Sequence, residues 1–104
     1  MKYIFEVKIK PGHTAEEYAA AWKRGSEEIQ KKSGARGTRL HRKIGDPNTL
    51  LAIAEWDTKE ARDKAMTELE NSDEATQGII HAHREFGEFV KIGEYTNAEW
   101  EVIP

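Results

Sequence analysis

Apolar and polar residues alternate along Lys2–Lys10. Tyr3, Phe5, Val7 and Ile9 fall on one side, and Ile4, Glu6 and Lys8 on the other. A period of two is that of a β-strand, and its wholly apolar side calls for a covering layer of helix. Pro11-Gly12 ends the strand by turn chemistry. From Thr14 the period changes. Ala15, Tyr18, Trp22, Gly25 and Ile29 recur every three or four residues, the stripe of an amphipathic helix. Thr14-Ala-Glu-Glu17 has the spacing of a capping box, and Gly34 suits a C-terminal cap.

Arg36–Ile44 predicts a second strand, with Leu40 and Ile44 set among Arg39, His41 and Lys43. So many charges suit a sheet edge that must resist mispairing. Gly45-Asp46-Pro47-Asn48 turns the chain into the apolar strand Thr49–Trp56, which runs straight into a helix. Its cap is expected at Asp57, where Asp57-Thr-Lys-Glu60 repeats the capping-box spacing. Ala61, Ala65, Met66 and Leu69 make its inner face. Asn71-Ser72-Asp73 interrupts the pattern. Ala75, Ile79, His83 and Phe86 then continue at helical spacing, weakened by Gly78 at a cost of about 1 kcal/mol. Glu88–Tyr95 is the last strand, with Val90 and Ile92 on one side and Phe89 and Tyr95 on the other. The order β-α-β-β-α-β defines an α+β, ferredoxin-like domain over residues 1–95, with a four-stranded antiparallel sheet. The tail, residues 96–104, alternates Trp100, Val102 and Ile103 with acidic residues. It is expected to dock as an extra strand, on its own sheet or on a partner subunit.

Composition narrows the partners. A chain of 104 residues fits one domain, and with 38% hydrophobic and 34% charged residues its core is modest. A second subunit would help to cover apolar faces. The net charge is −3 and the basic residues are scattered, which argues against nucleic acid. There is no cysteine, hence no disulfide or thiolate chemistry. No run approaches the roughly 20 apolar residues of a membrane span, and Met1–Gly12 lacks the pattern of a signal peptide. A soluble, cytoplasmic protein is expected.

Two stretches carry a family resemblance. Lys8–Trp22, KIKPGHTAEEYAAAW, resembles the strand–Pro-Gly–helix opening of the dimeric α+β barrel superfamily. Ala54–Ala65, AEWDTKEARDKA, resembles its third strand and second helix. The nearest branch is the antibiotic-biosynthesis-monooxygenase-like domain. The resemblance implies a homodimer, formed by two sheets packing face to face, with a cleft between sheet and helices in each protomer. It also implies oxidation of an aromatic compound by dioxygen without a cofactor, as some members perform. The heme-degrading members resemble one another in an Asn on the first strand and a Trp in the second helix. Lys2–Lys10 has no Asn and Asp57–Phe86 no Trp, which disfavours heme. Ala65 stands where many relatives keep a histidine, so that residue's role cannot be carried over.

The remaining candidates come from residue chemistry. His83 falls on an apolar helical stripe. It is either a core histidine or a proton shuttle that titrates near neutrality. Glu6, mid-strand among apolar neighbours, would act as a general base if desolvation raised its pKa. The competing reading pairs it with Lys8 or Arg42. Trp22, Trp56, Phe86 and Tyr95 would line a cleft for a flat ligand, or simply fill the core. His81 and His83 lie about 200° apart on a helix, which disfavours a shared metal ion. Two functions follow: a cofactor-independent monooxygenase-like enzyme acting on a small aromatic or polycyclic compound, or a non-catalytic dimeric module that binds a small hydrophobic ligand.

Overall fold

The computed structural model describes residues 1–104. Four strands, β1 (Lys2–Ile9), β2 (Ala35–Lys43), β3 (Asp46–Trp56) and β4 (Gly87–Tyr95), form one sheet in the order β2-β3-β1-β4. Every pairing is antiparallel. Helices α1 (Ala15–Ile29), α2 (Lys59–Glu70) and α3 (Glu74–His81) complete the split βαβ plan, and a 3₁₀ turn, Ala82–Glu85, follows α3. The ferredoxin-like α+β architecture read from the periodicity is the observed one. No helix is both long and apolar enough to cross a membrane.

The core lies where the apolar side of β1 meets α1. Val7 and Tyr18 are wholly buried, and Ile9, Ala15 and Leu50 close around them. The capping box of α1 forms as its spacing requires. Thr14 Oγ1 accepts from the Glu17 N–H at 3.1 Å, and Glu17 Oε1 accepts from the Thr14 N–H at 2.9 Å. Gly87 lets β4 approach this core. A Cβ there would sit 2.6 Å from Val7 Cγ1 and 2.8 Å from the Tyr18 ring.

Several local expectations are corrected by tertiary contacts. Helix α1 ends at Gln30 rather than Gly34. Gly34 instead takes a positive φ of 89° in the following turn, where its carbonyl accepts from the Asp57 N–H. Helix α2 is capped by Thr58, whose side chain accepts from the Ala61 N–H, not by Asp57. The Asp57 carboxylate is taken by Arg36 in a two-pronged pair at 2.6 and 2.9 Å. That bond ties the start of β2 to the end of β3.

The segment after Asp73 also turns differently. Ile80 is the buried residue of α3, while Ala75 and Ile79 face outward. In β4 the register shifts opposite Glu6 and Val7. Below the shift Phe89 pairs with Val7, and above it Ile92 pairs with Phe5, so both lie on the helical side. Tyr95 pairs with Lys2 on the open side. The expected grouping of Phe89 with Tyr95 fails because a bulge inverts the alternation. The tail from Thr96 forms no strand within the chain, and Trp100, Val102 and Ile103 stand 88, 96 and 75% exposed.

Candidate active site

Between the sheet and α1–α3 lies a partly open cavity of about 200 Å³. Its floor comes from the sheet: Tyr3 and Phe5 of β1, Thr38 of β2, Ala54 and Trp56 of β3, and Phe89 of β4. Its roof comes from the helices: Trp22, Gly25 and Ile29 of α1, Arg62 and Met66 of α2, and Ile80 with His81 of α3. His83 and Arg84 close one end from the 3₁₀ turn. Gly25 sets the roof height. A Cβ there would meet the carbonyl oxygens of Ile79 and Ile80 at 3.2 Å, so the bare glycine lets α3 lie close against α1.

Aromatic packing shapes the His83 end. The Phe5 and Phe89 rings meet edge-on at 4.9 Å between centroids. His83 lies 5.8 Å from Phe89 and 5.5 Å from Tyr18, both edge-to-face. Its Nδ1 is buried without a hydrogen-bond partner. Burial, with Arg84 and His81 adding repulsion, pushes the imidazole down to about 4. His83 is therefore neutral at pH 7 and does not titrate near neutrality as expected from its ordinary value. His81 is lowered by the same causes, burial first and Arg84 second. The Tyr18 phenol, buried with its hydroxyl unpartnered, is raised well above its ordinary value.

Of the residues picked out by sequence, His83, Trp22 and Trp56 come together in this cavity. Phe86 packs against the Val7–Tyr18 core and edge-on to His13 at 5.1 Å, outside the cavity lining. Glu6 and Tyr95 lie on the open side of the sheet, in a shallow depression with Ile4, Leu51, Lys91 and Gly93. The bases that the sequence offers as partners for Glu6 are engaged elsewhere: Lys8 with Asp46 at 3.0 Å and Arg42 with Glu16 at 2.6 Å. Ala65 is buried and does not line this cavity.

The chain also brings in residues that the sequence pattern did not single out as a site. Tyr3, Phe5 and Phe89 join the lining. Arg62 lies over the Tyr3 ring, with its Cζ 3.8 Å from the ring centroid. His81, at the end of α3, and His83, in the 3₁₀ turn, both reach the cavity. No three His, Asp or Glu side chains converge as a metal ion would need. Alternation in β1 was the available signal for Tyr3 and Phe5. Nothing local could have signalled Arg62.

The element order and the four-stranded antiparallel sheet β2-β3-β1-β4 define the ferredoxin-like α+β class, and the aromatic-lined cavity lies between its sheet and its helices. Residues 1–77 match the model of the antibiotic biosynthesis monooxygenase family, and the chain belongs to that family. Solved structures of the same fold include SnoaB, a cofactor-independent oxygenase from Streptomyces nogalater. It is 14% identical, with a TM-score of 0.73 over 96% of each chain. A Chloroflexus aurantiacus protein named for the same family is 15% identical, with a TM-score of 0.71 over 99% of this chain and 97% of that one. A conserved protein of Methanosarcina mazei is 17% identical, with a TM-score of 0.65 over 91% of each. No curated protein matches the sequence.

Proposed function

We propose that the chain is a cofactor-independent monooxygenase-like enzyme that oxidises a small aromatic compound in the cavity between sheet and helices. The observation that carries this reading is the neutral His83 imidazole at the end of an aromatic-lined cavity in a member of this family. Trp22, Trp56, Tyr3 and Phe89 offer faces and edges for a flat ring.

The chemistry suits an activated CH₂ flanked by electron-rich rings. Loss of one proton leaves a carbanion, which gives electrons to dioxygen and forms a carbon–oxygen bond. Loss of water from the resulting hydroperoxide leaves a carbonyl, so that R₂CH₂ and O₂ give R₂C=O and H₂O. His83 is unprotonated at neutral pH and takes the first proton. Its low basicity is offset when the anion formed beside it stabilises the imidazolium. Glu6, the other candidate base, faces away from this cavity and would act only on a ligand at the opposite side of the sheet.

In this reading the protein works as a homodimer with open sheet faces together. Ile4, Leu51 and Ile53 are only partly buried on that side, and pairing would cover them. The exposed tail, with Trp100, Val102 and Ile103, would then lie against the partner. Oxygen uptake with a panel of anthrones and quinols tests the activity. Uptake that disappears in His83→Phe supports it, and no uptake with any of them sinks it. The second reading, a dimeric module that binds a small hydrophobic ligand without turnover, is favoured by one observation: no carboxylate joins His83 in the cavity to strengthen it as a base. Ligand binding without oxygen uptake would decide for that module.

A further inference from the structure

The chain carries an excess of acid, 19 Asp and Glu against 16 Lys and Arg. The cavity inverts this balance. Arg62, Arg84, His81 and His83 line it, and not one Asp or Glu does. Arg62 is the most deeply set of the two guanidinium groups. Its side chain is 17% exposed and it rests on the Tyr3 ring. Its nearest carboxylate oxygens, from Asp63 and Glu94, stand 3.9 Å away, beyond hydrogen-bond reach. A guanidinium carries five N–H donors in a rigid fork that matches a carboxylate. Here the fork is held in place by an aromatic face while its ion pairs remain loose. Glu94 would keep a cation if Arg62 turned inward, because Lys59 Nζ lies 3.8 Å from it.

Size sets a second limit. An apolar cavity of about 150 Å³ takes benzene, so about 200 Å³ encloses one or two rings, and its open side leaves room for the third ring of an anthrone to project. From this we infer that the cavity binds an anionic aromatic acid of one or two rings, with its acidic group held by Arg62 and its rings between the aromatic walls. This rests on the proposed function only in placing the ligand in the same cavity. It names the class of compound, and it holds whether or not the ligand is oxidised.

The inference adds a specificity-determining residue to the site. Arg62 sits on α2, across the cavity from His83, which lies in the 3₁₀ turn. A ring anchored at Arg62 would extend along Tyr3 and Phe5 toward the imidazole. Arg84, exposed at the rim, adds attraction for an anion as it enters.

Calorimetric titration with 2-naphthoate and with the neutral 2-naphthamide, at equal salt and pH 7, tests the inference without reference to oxygen. The acid is expected to bind about tenfold more tightly than the amide, the scale of a charge-assisted pair. In Arg62→Gln that preference should fall to near unity. Arg62→Lys keeps the charge but not the fork, and should give an intermediate ratio. Circular dichroism confirms that each variant is folded, and Arg84→Gln provides a second variant at the rim with a smaller expected loss. Equal binding of acid and amide, a preference untouched by Arg62→Gln, or binding of neither compound would each overturn the inference. Anion binding with no oxygen uptake would leave it standing while removing the oxygenase reading.

Discussion

Acidification should cost this protein stability through His83, and the amount follows from the structure. The imidazole sits at about 4 in the folded chain against an ordinary 6.5, with burial the first cause. The unfolded chain therefore takes up the proton first. Stability is whole above about pH 6.5 and is lost as pH falls toward about 4. With those two values, linkage puts the loss between pH 7 and pH 5 at about 1.8 kcal/mol. Partial exposure of the ring lowers that figure, leaving about 1–2 kcal/mol. For a chain of this size each kcal/mol moves Tm by roughly 4–8 °C. The assay is thermal and urea unfolding of the parent and His83→Gln at pH 7, 6 and 5, at one protein concentration. The paired carboxylates Asp46, Glu55 and Asp57, all held low by their basic or hydroxyl partners, lose stability in both proteins and cancel in the difference. The gap between parent and variant should narrow or reverse by about 1–2 kcal/mol from pH 7 to pH 5. Parallel curves would refute the burial argument for His83.

Four further outcomes follow from named contacts. Gly87→Ala forces a Cβ to 2.6 Å from Val7 Cγ1, and urea unfolding should show a loss of about 1–3 kcal/mol, the range for overpacking. Thr58→Ala removes the observed cap of α2 and should cost about 1 kcal/mol by the same assay, which a cap at Asp57 would not predict. If the open sheet faces pair, Leu51→Lys should convert a dimer to a monomer in sedimentation velocity, and a parent that is monomeric at micromolar concentration removes the pairing. If His83 is the base, kcat/KM for an oxidised substrate should fall below about pH 4 to 5 and stay level through pH 6.5.

The alternation in Lys2–Lys10, the stripe from Ala15 to Ile29 and the Thr14 capping box were enough to give β1, α1 and their contact. These are short-range patterns, each set by a repeat of two or 3.6 residues, and the fold class follows from their order. The aromatic side of the site was partly legible for the same reason: Trp22 and Trp56 end or line elements whose inner faces are plain in the sequence. Other features depend on distant partners. Arg36 draws Asp57 away from the helix cap. The bulge opposite Glu6 and Val7 moves Phe89 to the cavity side and leaves Tyr95 on the other. The cavity between sheet and helices takes in both His81, at the end of α3, and His83, in the 3₁₀ turn. Arg62 looks in sequence like any solvated helical charge, and only the docking of α2 over β1 sets it on Tyr3. The sequence by itself thus determined which elements form and which faces they bury, because those depend on neighbours within a turn or two. The tertiary structure alone decided the cavity's contents and charge, because these depend on residues brought together from every element of the chain.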